Sequence, residues 1–506
     1  MKGFSDTPKG AAPTAHHRRP SSFKWRYLVL LATAGYFLYC WLSSQPLFAH
    51  PLPKHTGPYA VGVVDIEAPV SPPRIVEPSI RFKGKTETPF DLETVLFSVY
   101  YPTSYEIARH CHHKRHTWVT KPLSLRAQGY AKAAHISNSI TDAIFTGAID
   151  LLVGSITIPA AVDVPLSDDN SKHRVIVFSH GTVASRNDYS HYAGELAARG
   201  YVVVVLEHRD GSGPGSIIKR DGQKDKKRLL FDVTEVETLD KKTPTEEQFH
   251  KAQLAFRQAE IEEAVRVMKM INAGQGSDVL AQNSFREGAA LAEWKGRLNT
   301  DGMVVAGHSY GATGALQALK DGPNEARPFV GAIILDPGKS SGPLNKDINV
   351  PVLVVHSNSW SSKSSVFYGR PHFDTVKEIV EENNKRGNPS WFMTSLGTSH
   401  PSVTDAPLLE PYILSFTTGA TIDVYQGLRQ YVHVAEDFLA YLADGKTKDR
   451  GLLSEKAEFP QYDEGTGLGM WKPGQGDNQQ AREEEGEWWD WRSYWQIHVS
   501  PVGNKS

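Results

Sequence analysis

The sequence predicts a mixed α/β fold in which a mostly parallel central sheet carries helices on both faces. Short runs of β-branched and other apolar residues alternate with helical stretches, and turn residues bound each run. The runs are apolar along their whole length, which is typical of parallel strands covered on both sides. They are Arg174–Ser179, Tyr201–Leu206, Met303–Ala306, Val330–Leu335 and Val352–His356, and the earlier run Val95–Tyr101 can add an antiparallel edge hairpin.

The N-terminal region predicts a membrane helix. No charged residue occurs between Tyr27 and Ala49, which is about the length that a spanning helix needs, and basic residues precede it. We therefore expect residues 1–26 to be a cytosolic basic tail, 27–49 an uncleaved transmembrane signal anchor and 50–80 a stem. This gives a single-pass type II membrane protein whose folded domain is lumenal or extracellular. The alternatives are secretion after cleavage of a signal peptide at Ala49 and, less in keeping with the polar flanks, a buried core helix.

The remaining chain is divided into a folded domain and an extension. We expect an α/β domain at residues 81–445, with a helical insertion at 210–301, and a Trp-rich extension at 446–506. Within the insertion, Glu246–Asn272 places its apolar residues on one helical stripe, which predicts a packing helix. The extension ends in EEEGEWWDWRSYWQIHV (Glu483–Val499), whose aromatic residues we expect to dock on the domain; a membrane interface is the alternative.

Composition excludes some classes of function. The chain has 506 residues, of which 40% are hydrophobic and 22% charged, as expected for a protein with a folded core. The formal net charge of −2 gives no electrostatic basis for binding nucleic acid, so we expect no such partner. Two cysteines do not fix the redox compartment, and the sequence does not indicate the oligomeric state.

The stretch VVAGHSYGATGAL (Val304–Leu316) contains a motif that carries chemistry. A serine between two glycines, directly after a buried-type strand and before a helix, is typical of the G-x-S-x-G nucleophile elbow of an α/β-hydrolase fold. At such an elbow the chain turns sharply and leaves one hydroxyl exposed on the corner. Ser309 is therefore the candidate nucleophile.

The partners of Ser309 follow from chain order, because this fold places the acid and then the histidine after the nucleophile. Asp336 directly follows the strand Val330–Leu335 and is the candidate acid, although an aspartate in a simple turn before proline is an equal alternative, and Asp405 is the next candidate. His400 ends the stretch WFMTSLGTSH, a short strand and a late loop, and is the candidate base. His356 and His433 fit this position less well.

An acyl-transfer site also needs two backbone N–H groups that bind the developing oxyanion. One is expected from Tyr310, the residue after the nucleophile. The other is expected from Thr182 in the glycine-bearing loop FSHGTVASR (Phe178–Arg186). We interpret His180 in this loop as structural.

With these parts assembled, the sequence resembles the serine-dependent platelet-activating factor acetylhydrolases of the plasma and intracellular type II kind, which have an α/β-hydrolase fold. The similarity runs from about Glu93 to about Leu442. It is carried by the stretches YYPTS (100–104), LLVGSITIPA (151–160), VIVFSHG (175–181), YVVVVLEHRDGS (201–212), VVAGHSYGATGALQAL (304–319), GAIILDPG (331–338) and SHPSVTD (399–405).

The resemblance implies a serine esterase with Ser309 as nucleophile, Asp336 as acid and His400 as base, and with Thr182 and Tyr310 as oxyanion donors. It implies a phospholipid substrate with a short (acetyl) or oxidised sn-2 acyl chain, and the mechanism requires no metal or cofactor. The alternatives are a general carboxylesterase or polyester hydrolase of the same fold, and a non-catalytic binding protein.

Three further segments allow two interpretations each. We expect Glu207–Asp210 to form a hydrogen-bonded scaffold that orders the insertion, rather than a catalytic group. Ser139–Val153 is expected either to pack in the core or, as the resemblance implies, to contact lipid. The loop His110–His116 is interpreted as a solvated basic loop, because its crowded histidines lack the spacing of a structural zinc site.

Overall fold

The computed structural model describes residues 22–43, 46, 49–110, 114–169, 172–220, 222, 224–411, 417–466 and 491–502. The strands are β1 Ala60–Ile75, β2 Ile80–Phe82, β3 Asp91–Thr103, β4 Ala161–Val162, β5 His173–Ser179, β6 Val202–Leu206, β7 Gly215–Ile218, β8 Lys226–Leu229, β9 Val236–Thr238, β10 Leu298–His308, β11 Phe329–Leu335, β12 Val352–Ser357, β13 Val366–Phe367, β14 Arg370–Pro371, β15 Trp391–Ser395 and β16 Trp495–Val499. The helices are α1 Ser22–Ser43, α2 Tyr105–His110, α3 Leu123–Ala133, α4 Ser139–Val153, α5 Ser190–Ala197, α6 Glu246–Met270, α7 Gly276–Gln282, α8 Tyr310–Ala318, α9 Asn358–Ser362, α10 His372–Lys385, α11 Ala406–Leu409 and α12 Val424–Asp444.

Ten strands of the described ranges form one sheet, in the order β16-β15-β12-β11-β10-β5-β6-β3-β1-β4. The six neighbours from β15 to β6 are parallel to one another. β3 is antiparallel to both β6 and β1, and β16 is antiparallel to β15. Because the central strands are parallel, the loops after β5, β10, β11 and β15 all leave the same edge of the sheet.

Helices cover both faces of the sheet, as the fully apolar strands predict. On one face, residues of α6, α8 and α10 pack against alternate strand residues such as Val177 and Val305. On the other face, residues of α5 and α12 pack against Phe178 and Ala306. Every residue of β6 is buried, because its successive side chains point to opposite faces and both are covered.

The predicted transmembrane helix at residues 27–49 is wrong. The segment forms helix α1, but this helix begins at Ser22 inside the basic tail and ends at Ser43. Only residues 27–43 therefore lie both in α1 and in the predicted span, fewer than the roughly 20 apolar residues that a spanning helix needs. Across the part of the chain that the structure describes, no helix combines the length and hydrophobicity required to cross a bilayer. The predicted single-pass topology depended on this helix and is therefore unsupported. Cleavage of a signal peptide after Ala49 stays a prediction.

Other predicted segments have mixed outcomes. The stripe of the insertion helix is buried, as expected, at Leu254, Ile261, Val265, Met268 and Ile271. Core packing of Ser139–Val153 is wrong, because α4 buries none of its residues. In the Trp-rich extension, residues 467–490 lie outside the described residues, but Trp495–Val499 forms β16 and is buried on the domain.

Candidate active site

Ser309 lies at the corner between β10 and α8, where the backbone adopts an unusual conformation. Its φ of 58° and ψ of −123° place a residue with a side chain in a region that L residues rarely occupy. Such strain costs on the order of 1–3 kcal/mol and persists only where packing enforces it. Packing does so here, since a Cβ atom at Gly311 would lie 1.9 Å from the carbonyl oxygen of Ser179. Helix α8 therefore begins in direct backbone contact with the end of β5.

A chain of hydrogen bonds joins the three predicted catalytic residues. The Ser309 hydroxyl donates to Nε2 of His400 over 3.1 Å, and Nδ1 of His400 donates to Oδ2 of Asp336 over 2.8 Å. Asp336 is 2% exposed, whereas the His400 side chain is 29% exposed and can reach a bound molecule. The three residues come from the loops after three different strands, and together they have the geometry of a nucleophile, a base and an orienting acid.

The Asp336 carboxylate is fixed by Ser357, the last residue of β12. The backbone N–H of Ser357 donates to Oδ1 over 2.6 Å, and the Ser357 hydroxyl donates to Oδ2 over 2.7 Å. These bonds occupy lone pairs that the histidine does not use, so the acceptor for the imidazole N–H keeps its orientation. Asp336 itself has a φ of 48°, a second constrained residue in the site.

A second histidine, His308, lies next to the His400 ring. The ring centroids are 4.5 Å apart, and Nδ1 of His308 is 2.9 Å from the hydroxyl of Tyr189. Burial, and then the neighbouring His400, hold the pKa of His308 well below its usual range, so this ring is neutral. His308, Asp336 and His400 offer ligand atoms within 4.8 Å of one another, but both ring nitrogens of His400 already bond to protein atoms.

The two predicted oxyanion donors border the same space as the Ser309 hydroxyl. Tyr310 is the first residue of α8, so its N–H has no acceptor in a preceding helical turn. Thr182 follows Gly181, where a Cβ atom would lie 3.1 Å from Cβ of Ser309, so this loop packs against the nucleophile. The N–H of Gly181 donates to the Tyr189 hydroxyl over 3.1 Å, which fixes the loop from behind.

A buried polar network joins this loop to the helical insertion. Arg257 of α6 donates to Asp210, to the carbonyl oxygen of His180 and to the Ser212 hydroxyl over 2.6–2.7 Å. Its guanidinium also lies 4.3 Å from the centre of the Tyr310 ring. The prediction that Glu207–Asp210 is a scaffold for the insertion is confirmed, because these residues are buried and bonded to α6 and neighbouring elements. Arg257 was not predicted from the sequence, because the apolar stripe of α6 shows which helix face is buried but not which polar residue bonds to the site.

A cavity of about 290 Å³ adjoins the nucleophile. Its wall combines the site residues Thr182, Ser309 and Tyr310 with apolar groups from the insertion, among them Phe231 and Phe249. A larger cleft of about 520 Å³ lies along α6 and is lined mainly by charged residues. Of these two cavities, the smaller one borders Ser309 and the larger one does not.

The other candidate residues lie elsewhere. His180 is buried and accepts the N–H of His208, and His356 is within 3.2 Å of the Ser361 hydroxyl. Asp405, the next candidate acid, accepts hydrogen bonds from the backbone N–H groups at the start of α5, from the Ser190 hydroxyl and from an indole N–H. In the His110–His116 loop, residues 111–113 lie outside the described residues, and His116 pairs with Glu287 over 2.9 Å.

Comparison with known proteins identifies related chains. The sequence pattern of the family "Platelet-activating factor acetylhydrolase, isoform II" matches residues 48–456. A platelet-activating factor acetylhydrolase of Cavia porcellus is 26% identical over 325 residues, which is 62% of each chain. That of Canis lupus familiaris is 30% identical over 175 residues, 34% of this chain and 37% of the other. A putative phospholipase A2 of Schizosaccharomyces pombe is 32% identical over 151 residues, 28% of this chain and 34% of the other. The chain thus spans about three fifths of the length of the Cavia relative and about a third of the other two.

Proposed function

Since this chain belongs to the platelet-activating factor acetylhydrolase isoform II family, we propose that it is a serine esterase that hydrolyses a short or oxidised sn-2 acyl ester of phospholipids. The observation that carries the proposal is the hydrogen-bonded chain from Asp336 through His400 to Ser309 on a strained elbow. That arrangement supports acyl transfer to a serine hydroxyl.

The reaction we propose has two acyl-transfer steps. Ser309 Oγ attacks the ester carbonyl while Nε2 of His400 takes the hydroxyl proton. The carbonyl oxygen becomes an oxyanion, which accepts hydrogen bonds from the backbone N–H groups of Thr182 and Tyr310. The C–O bond to the alcohol breaks, and the alcohol leaves with the proton from His400. Water then gives a proton to His400 and attacks the acyl carbon. The bond from that carbon to Ser309 Oγ breaks, Oγ takes the proton back from His400, and the acid is released. Asp336 holds Nδ1 of the imidazole protonated and stabilises the positive charge that the ring gains in each step.

The cavity supports a small acyl group. A volume of about 290 Å³ lies near the lower limit of the usual range for ligand pockets, and most of the apolar residues that line it come from the insertion. The names of the related proteins, an acetylhydrolase and a putative phospholipase A2, agree with an ester of this class. The exposed isoleucines and leucines of α4, with Ile140 71% exposed, are consistent with the predicted contact with lipid.

Active-site labelling tests the nucleophile. The full-length chain should react covalently with a fluorophosphonate probe, and mass spectrometry should locate the adduct on Ser309. Ser309→Ala should abolish labelling and hydrolysis while leaving the melting temperature nearly unchanged, because it removes only the nucleophile. Labelling of another serine in the variant, or none in the wild type, would contradict the proposal.

A substrate panel tests the specificity. Phosphatidylcholines with sn-2 acetyl, butanoyl, oxidised short-chain and palmitoyl groups should be compared with p-nitrophenyl acetate and a polyester. We expect kcat/KM to fall steeply beyond a few carbons at sn-2. Equal activity on the polyester or on simple esters would instead identify a general carboxylesterase.

A further inference from the structure

Residues Ser357–Trp360, here called the clamp segment, contact both the acid and the base of the proposed triad. The segment begins at the end of β12 and enters α9. Ser357 donates twice to the Asp336 carboxylate, over 2.6 and 2.7 Å. Two residues later, the Ser359 hydroxyl accepts the backbone N–H of His400 over 2.9 Å. Four consecutive residues therefore fix the relative position of two groups that are 64 residues apart in the chain.

Trp360 makes the most direct contact with the base. Its indole is stacked on the His400 imidazole with the ring centroids 3.9 Å apart and an angle of 11° between the ring planes. A parallel ring at this distance fills one face of the imidazole. The His308 ring is a second neighbour, with its centroid 4.5 Å from that of the imidazole and its plane tilted by 38°. The edges of the imidazole meet Asp336 and Ser309. The imidazole is therefore held by a stacked ring on one face and by hydrogen bonds at both ring nitrogens.

The indole is itself anchored to the loop that carries the acid. Nε1 of Trp360 donates to the carbonyl oxygen of Pro337 over 3.0 Å. Nζ of Lys339 donates to the carbonyl oxygens of Trp360 and Lys363, each over 2.7 Å, and lies 4.5 Å from the centre of the Trp360 ring. Pro337 directly follows Asp336, and Lys339 lies three residues after it. A displacement of Trp360 would therefore disturb the loop that carries the acid as well as the imidazole.

We propose that Trp360 is a positioning residue for the ester hydrolysis, and that its indole holds the His400 imidazole in line between Asp336 and Ser309. The proposal rests on the proposed function, because it assigns Trp360 a role in that reaction. Indole is suited to this role since it offers a broad flat face and a single N–H that fixes its orientation. A misplacement of about 1 Å in a catalytic group can cost about 100-fold in rate.

Three variants test the proposal. Trp360→Leu keeps an apolar side chain but removes the flat face, and we expect kcat to fall about 10–100-fold. Trp360→Phe keeps a flat ring without the N–H anchor, and we expect it to restore kcat to within about threefold of the wild type. Trp118→Leu is the matched control: Trp118 is also half-buried and donates its indole N–H, but to Asp405 outside the site. We expect the control to keep the wild-type kcat.

The measurements separate positioning from two other roles. Trp360 also borders the cavity, so a role as a substrate wall would raise KM for the phospholipid and leave the labelling rate with a small fluorophosphonate unchanged. A purely structural role would lower the melting temperature and leave kcat per folded molecule unchanged. Either result would overturn the proposal, which requires kcat and the labelling rate to fall together. Absence of labelling in the wild type would instead refute the proposed function, so the two failures are distinguishable.

Discussion

Replacing Gly311 with alanine should damage the site from within helix α8. A Cβ atom at this position would lie 1.9 Å from the Ser179 carbonyl oxygen, whereas ordinary contact begins at 3.4 Å, so the helix and β5 must separate by about 1.5 Å. The Ser179 oxygen is a backbone atom and the position of the Cβ atom is fixed by the helix backbone, so neither can rotate away. Overpacking of this kind typically costs about 1–3 kcal/mol. The same shift moves the loop of Thr182 relative to Ser309, and we expect at least a 100-fold loss in labelling rate.

Gly314→Ala provides the control in the same helix. The nearest atoms to a Cβ at Gly314 are 3.4 Å away, so alanine fits, and its higher helix propensity should make the variant equally or more stable by up to about 1 kcal/mol. Urea unfolding followed by circular dichroism gives the free energies, and fluorophosphonate labelling gives the reactivity. The reasoning is refuted if Gly311→Ala is as stable and as reactive as Gly314→Ala.

Further outcomes follow from the buried polar groups. Asp336→Asn should lower kcat by up to about 10⁴-fold with little loss of stability, since the catalytic imidazole loses the acceptor that fixes its tautomer. Asp405→Asn should instead lower the unfolding free energy by about 1–3 kcal/mol and leave kcat nearly unchanged; the reverse pattern would make Asp405 the acid. Arg257→Met leaves the Asp210 carboxylate buried without its cation, so the unfolding free energy measured in urea should fall by about 3–5 kcal/mol. An unchanged unfolding free energy would contradict this prediction. Burial lowers the pKa of His180 and of His498 to about 4, below the value of about 6.5 in the unfolded chain. The unfolded state therefore binds more protons between pH 6.5 and 4, and stability present above pH 6.5 is lost across that window, by up to about 3 kcal/mol for each group. His498→Gln should reduce this loss, which unfolding curves at pH 7 and pH 4.5 would measure.

The pattern of apolar strands and the order of motifs along the chain were enough to predict three residues of the candidate site. A fully apolar strand followed by a serine between glycines is typical of a strand–turn–helix elbow. The structure brings Ser309, Asp336 and His400 together at one edge of a parallel sheet. Their catalytic roles remain predictions until labelling is done. Trp360 could not be found in this way, because an isolated aromatic residue in the run SNSWSS has no periodicity that shows what it will face.

The membrane helix and the C-terminal strand β16 are two further features that the sequence pattern did not predict correctly or in full. The uncharged length of residues 27–49 and the basic residues before it favoured a membrane helix. Where a helix begins and ends also depends on capping and local hydrogen bonds, which this pattern does not report. For the Trp-rich extension, the cluster of aromatic residues predicted that the segment is covered by another surface. It could not specify that Trp495–Val499 would pair with β15, because strand pairing over such a separation depends on which edge the rest of the fold leaves open.

The pairing of β16 with β15 has a consequence for biosynthesis. β16 lies beyond residue 456, where the family match ends, and it is translated about 100 residues after its partner strand. On the ribosome, β15 therefore emerges with an unpaired row of N–H and C=O groups along one edge, next to the loop that carries His400. An open edge of this kind can pair with the edge of another nascent chain, and closing so long a loop is slow. Between synthesis of β15 and arrival of β16, this edge of the sheet is thus open to pairing with another chain.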